Sequence, residues 1–198
     1  MIRRVREHHK GSGFTLIEVL VTLLIIAIGL LGLAGLQLAS LQSQLEAYQR
    51  AQAVMLAEEM ANRIRSNAPA ARATPNEYLE GTYGLAPQAC NPATQTTAQY
   101  DLCDWNNLLL GQNVAGGVGG ISEARGCIDD VSLTEGSGDG ETRMRITVAW
   151  QGTTATRAPV DDDSYDCGEG EYGDDEAFRR LAVVDVALAD LLNDPNSP

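Results

Sequence analysis

The chain has 198 residues and a formal net charge of −13, with 14 Lys and Arg against 27 Asp and Glu. That length suits one globular unit with an extension, or two small domains at most, and the acidic balance excludes nucleic-acid binding through a basic surface. Both histidines, His8 and His9, and the only lysine, Lys10, fall in the first ten residues, so everything beyond lacks a catalytic His, a Schiff-base or phosphate-loop Lys and a His metal site.

In chain order, the first feature is a basic cluster, Arg3, Arg4, Arg6 and Lys10 against Glu7 alone, which leaves 10 basic and 26 acidic residues beyond Gly13. Residues 14–40 follow as FTLIEVLVTLLIIAIGLLGLAGLQLAS, an apolar run of 27 residues with one charge, Glu18. About 20 residues suffice for a helix to span a hydrocarbon core, so a membrane-spanning helix is predicted. The cluster before it, with no Lys or Arg again until Arg50, places the amino terminus in the cytoplasm and the remainder outside.

Glu18 needs an explanation, because a carboxylate at the centre of a spanning helix costs about 2.5 to 3.5 kcal/mol. An ordinary secretory signal cut near Gly32-Leu33-Ala34 leaves it unexplained. A place in the interface, complementing the helix dipole, is the plainer alternative. Gly13-Phe14-Thr15-Leu16-Ile17-Glu18 behind a short basic leader resembles the processing motif of type IV pilins and the related pseudopilins. The resemblance implies that a prepilin peptidase cuts between Gly13 and Phe14 and methylates the new amine of Phe14. It also implies that Glu18 docks the subunit into a filament by meeting the terminal amine of a neighbour. Implied partners are other major and minor pilins and the pilus assembly platform of the inner membrane. The implied location is the inner membrane with a periplasmic head, then the pilus filament, and no cofactor is implied.

Past the apolar run, Leu38, Leu41, Leu45 and Tyr48, then Met55, Leu56, Met60 and Ile64, recur mostly at steps of three and four, interrupted once by Gln52. This predicts one helix whose stripe packs on a head, ending near Asn67 because Pro69 disfavours helical geometry at Ala68. A helix over 14–66 would be on the order of 80 Å long. Gly29, Gly32 and Gly35 let neighbouring helices approach or let this segment unwind. Residues 57–67, AEEMANRIRSN, and the segment 29–37 are similar to those of minor pilins. For Glu58, Glu59, Arg63 and Arg65 the expectation is a solvated helix face with i,i+4 pairs such as Glu59 with Arg63.

In the head, residues 67–99 read as loop, and 100–110 as a short helix with Leu102, Trp105 and Leu109 in the core. The glycines of 111–120 mark a turn without phosphate-loop spacing. Residues 143–150 alternate, so Met144, Ile146, Val148 and Trp150 should face the core. Residues 180–188 supply a second strand and 127–133 a weaker third, which favours a small antiparallel sheet.

Cys90, Cys103, Cys127 and Cys167 lie outside the membrane on this orientation, where oxidation is allowed. Their separations of 13, 24 and 40 contain no CxxC pair, so two disulfides are expected rather than a zinc site. Three pairings exist, and proximity favours Cys90 with Cys103 and Cys127 with Cys167. The acidic stretch 161–176 invites calcium, but its Gly and Glu miss the EF-hand positions, and a solvated loop is expected with no metal site.

The expected fold is α+β: a leader over 1–13, a spine helix over 14–66 with its membrane part at about 14–39, and an extracytoplasmic antiparallel-sheet head over 67–198. The expected function is a minor pilin without catalysis that takes part in pilus assembly or priming. A type II secretion pseudopilin, an extracytoplasmic enzyme that works through paired carboxylates and an adhesive module are the alternatives. No carboxylate pair is identifiable, and Trp105 and Trp150 read as core rather than a sugar platform.

Overall fold

The structure, a computed structural model, describes residues 13–79, 81–112, 121–132, 142–159, 165–173 and 175–188. The elements in chain order are α1 (Leu16–Ser66), α2 (Ala68–Ala71), α3 (Thr97–Leu109), β1 (Arg125–Asp130), β2 (Thr142–Gln151) and β3 (Arg179–Leu188). The chain divides into two compact units, Met1–Ser43 and Gln44–Pro198, and α1 contributes to both. In the first unit every described residue is exposed, and the helix there is long and apolar enough to cross a membrane.

In the second unit α1 buries Ala53, Ala57, Met60, Ala61 and Ile64, a helical repeat rich in alanine. This corrects the stripe read from the sequence. Leu45, Tyr48 and Met55 are more than half exposed, and so are Leu38 and Leu41 in the first unit; only Met60 and Ile64 of that stripe are fully buried. Small side chains let the helix axis approach its neighbours, so the alanine face does the packing and the bulky residues lie off it. The solvated face holds for Glu58, Glu59 and Arg65, and Glu59 pairs with Arg63 as expected, but Arg63 itself is only 20% exposed and turns toward α3.

α1 ends where expected, at Ser66, but the chain restarts as a short helix across Pro69. Asn67 closes α1 through its N–H to Arg63 and Ile64, and its carbonyl opens α2 by accepting from Ala70 and Ala71. Pro69 stands in the first turn of α2, where a missing N–H leaves nothing unsatisfied. Ala68 is therefore helical despite preceding a proline.

α3 begins on a capping box: the Thr96 hydroxyl accepts from the Gln99 N–H while the Gln99 side chain accepts from the Thr96 N–H. Its buried face carries Ala98, Leu102, Trp105 and Leu109, and the Trp105 indole N–H donates to the Leu56 carbonyl at 2.9 Å. Asn106 and Asn107, both buried, hold the preceding loop. Asn106 accepts from the Gly84 N–H and donates to the Ala86 carbonyl, both at 2.8 Å, and Asn107 makes the same pair with Gln88. The segment read as loop is thus ordered by side-chain amides, and Cys90–Cys103 ties it to α3.

The sheet is antiparallel in the order β1-β2-β3, with Ile146 opposite Ile128 on one side and Val184 on the other. Met144, Ile146, Val148 and Trp150 are buried in the main core. The alternate residues Arg145, Thr147 and Ala149 are buried as well, which simple alternation does not predict. Their cover is the 165–178 segment, whose Cys167, Tyr172 and Phe178 pack on Ala149. Cys127–Cys167 fastens this cover, the Tyr172 hydroxyl donates to the Glu123 carbonyl at 2.7 Å, and the Arg145 guanidinium lies over the Tyr165 ring. Residues 1–12 of the expected leader, the end of the third strand reading at Leu133, the glycine turn at 113–120 and residues 161–164 and 174 of the acidic stretch lie outside the described residues.

Candidate functional site

The amino-terminal segment is built by one carbonyl. Gly13, Phe14 and Thr15 precede the helix, and the Thr15 carbonyl accepts from the N–H groups of Glu18 at 3.1 Å and Val19 at 3.3 Å. Phe14 is 84% exposed. A side chain added at Gly13 would meet nothing among the described residues, and the same holds at Gly29, Gly32 and Gly35. Glu18 lies in the first turn of α1, where the helix dipole favours a negative charge. Among the described residues it has no ion-pair partner within the chain. The structure thus places Gly13, Phe14 and Glu18 together on one exposed helix start.

The other charged groups are engaged structurally. Arg63 meets Glu59 and Asp104 at 2.6 Å and Asp101 at 3.5 Å. Burial opposes its charge, but the hydrogen bonds to Glu59 and Asp104 outweigh burial and hold the guanidinium above its ordinary value. Tyr78 donates to Asp101 at 2.7 Å and accepts from Asn67 at 3.1 Å, and burial followed by the Asp101 bond pushes its phenol well above the ordinary value. Asp101 and Asp104 are thus engaged by Arg63 and Tyr78 in ties between α1, the loop after α2 and α3. A second knot joins α1 to the sheet: Glu46 accepts from Arg180 at 2.7 Å, from the Thr153 hydroxyl at 2.7 Å and from the Thr153 N–H at 3.2 Å. Burial alone would raise the Glu46 pKa, yet Thr153 and Arg180 together lower it.

All four cysteines are in the disulfides Cys90–Cys103 and Cys127–Cys167, with no free thiol to act as a nucleophile. Among the described residues no group of three His, Cys, Asp or Glu could hold a metal ion. Sequence reasoning missed the Arg63 hub and the Glu46 knot. The i,i+4 spacing of Glu59 and Arg63 signalled one of their bonds, but nothing local signalled Asp104 or Arg180.

An exposed apolar helix, long and apolar enough to cross a membrane and with one acidic side chain in its first turn, continues into an α+β unit cross-linked by two disulfides, a pilin-like class of fold. Comparison with known families gives the class its name. A family model for the prokaryotic N-terminal methylation motif matches residues 9–34, and one for type IV pilin Tt1218 matches residues 35–104. The two matches abut, and neither extends into the sheet. The chain carries the methylation motif and a type IV pilin segment, and is thereby similar to type IV pilins, which are structural rather than catalytic. No curated protein and no solved structure matches the chain.

Proposed function

We propose that the chain is a minor type IV pilin, a structural subunit that enters or primes a pilus, most similar to the type IV pilus modification protein PilV. A prepilin peptidase removes the leader 1–13 by cutting between Gly13 and Phe14 and methylates Phe14. The subunit waits in the inner membrane with its head, residues 67–198, in the periplasm. It then joins other major and minor pilins on the assembly platform.

The observation that carries this reading is Glu18: an acidic group on an exposed apolar helix, with no partner among the described residues of its own chain. In lipid an uncompensated carboxylate is penalised and an opposite charge attracts it far more strongly than in water. The free amine of a neighbouring processed subunit is such a charge. Leu45, Tyr48 and Met55, left exposed on α1, suit packing against further helices, and the glycines with no intrachain contact at their Cβ positions suit close approach.

The test is a strain lacking the protein, complemented with the wild-type chain or with Glu18→Ala. Surface pili are expected to fall in the deletion and to return with the wild type. Glu18→Ala is expected to be processed normally and to enter filaments poorly. Normal incorporation of Glu18→Ala contradicts the role given to the carboxylate. Intact pili with lost secretion of folded substrates would instead identify a secretion pseudopilin.

A further inference from the structure

We propose that the groove between α3 and the loop before it binds a neutral saccharide. Its cavity, about 420 Å³, is lined by Tyr83, Gln88, Gln95, Gln99, Leu102 and Cys103, a volume within the roughly 300 to 1,000 Å³ of small-molecule sites. No lining side chain is charged at neutral pH, although the chain carries a net −13. A second cavity of about 340 Å³ shares Gln99 and adds Thr96 and Glu77.

The amides in this groove have a fixed orientation. The Gln95 Oε1 accepts from the Asn91 N–H at 2.7 Å, and the Gln99 Oε1 accepts from the Thr96 N–H at 3.1 Å. A backbone N–H can only meet an oxygen, so both carboxamides must turn their oxygen inward and offer the NH2 group elsewhere. Neither NH2 group has a partner among the described residues, nor does the Gln88 carboxamide. The walls are held in place: Cys103, which lines the groove, is bonded to Cys90, Asn107 pins the Gln88 main chain, and Tyr83 is bridged to Gly126 and tilted against Trp105. Donors held in place before binding lose little freedom on binding.

A matching ligand offers acceptors without charge. An anion is disfavoured by Glu77 next door and by the acidic chain. A peptide needs pockets for apolar side chains or a free strand edge, and the apolar part of this lining is Leu102 and Cys103 besides the Tyr83 ring. Sugar hydroxyls accept from the amides, and the CH face of a ring suits that small apolar floor. This inference stands apart from the pilin reading.

The test is saturation-transfer NMR on the full chain in a sugar-free detergent, with maltotriose, cellotriose and chitotriose as probes and tetraglycine as the peptide control. At least one trisaccharide is expected to receive transfer. The double variant Gln95→Glu/Gln99→Glu keeps both oxygens on the Asn91 and Thr96 N–H groups while removing both donors, so it is expected to fold and to bind at least tenfold more weakly. Gln88→Ala, which breaks no bond to a described residue, is expected to weaken binding as well and serves if the double variant fails to fold. Transfer to none of the three sugars, transfer to tetraglycine alone, or binding unchanged in the folded variants would overturn the proposal.

Discussion

Gly126 lets β1 run directly beneath α3, because a Cβ there would fall on the Trp105 indole and the Leu109 side chain. Its N–H and carbonyl pair with Tyr83 at 3.0 and 2.8 Å, so the strand cannot move aside cheaply. Gly126→Ala is expected to cost about 1–3 kcal/mol through overpacking, read as a lower thermal midpoint of the full chain in detergent. Glu46 acts at the same scale with a different signature. Its folded-state pKa is lowered from an ordinary value of 4.5, so its stabilisation is fully present above that value and is lost as pH falls through the lower folded value. Glu46→Gln is therefore expected to flatten the loss of stability below about pH 4.5, seen as a smaller difference in midpoint between neutral and acidic buffer. Trp105 and Trp150 were legible as core from their place in an amphipathic helix and an alternating strand. Arg63 was only half legible, since its i,i+4 bond is local but its bond to Asp104 joins residues 41 apart.

Among the elements, β2 departs most from its sequence pattern. Alternation describes a strand with one dry face and one wet face, yet seven consecutive residues from Met144 to Trp150 are buried. The second face is dry because an acidic, glycine-rich segment covers it, and composition alone marks such a segment as solvated. The cover is held by Cys127–Cys167, whose loop spans 40 residues. Replacing both cysteines with alanine is expected to cost about 2–4 kcal/mol and to expose Ala149 and Tyr172, checked by thermal unfolding and by faster amide exchange in β2. An unchanged midpoint would mean that Tyr172, and Arg179 through its guanidinium bonds to the Tyr165 and Cys167 carbonyls, hold the cover unaided. The α1 face was misread for a related reason: periodicity ranks bulky apolar residues first, whereas close helix packing selects Ala53, Ala57 and Ala61.

For the whole molecule, the two units have opposite needs. The described residues up to Ser43 are exposed and largely apolar, while those from Gln44 onward close a core and cross-link it twice. The α+β class, the long first helix and the antiparallel sheet were legible because each rests on strong local periodicity. The processing segment was legible because a small residue, an aromatic and a carboxylate coincide at the head of an apolar run. What Glu18 meets was not, since no described residue of the chain pairs with it and the proposed partner is a neighbouring subunit's amine. In the proposed function, processing is the step on which that partner depends, because cutting after Gly13 would create the amine that a neighbour presents. Mass spectrometry of the mature amino terminus, on protein from the cell envelope, tests this most directly. The first residue is predicted to be N-methylated Phe14; an intact Met1, or a chain beginning at Gly35, would contradict it.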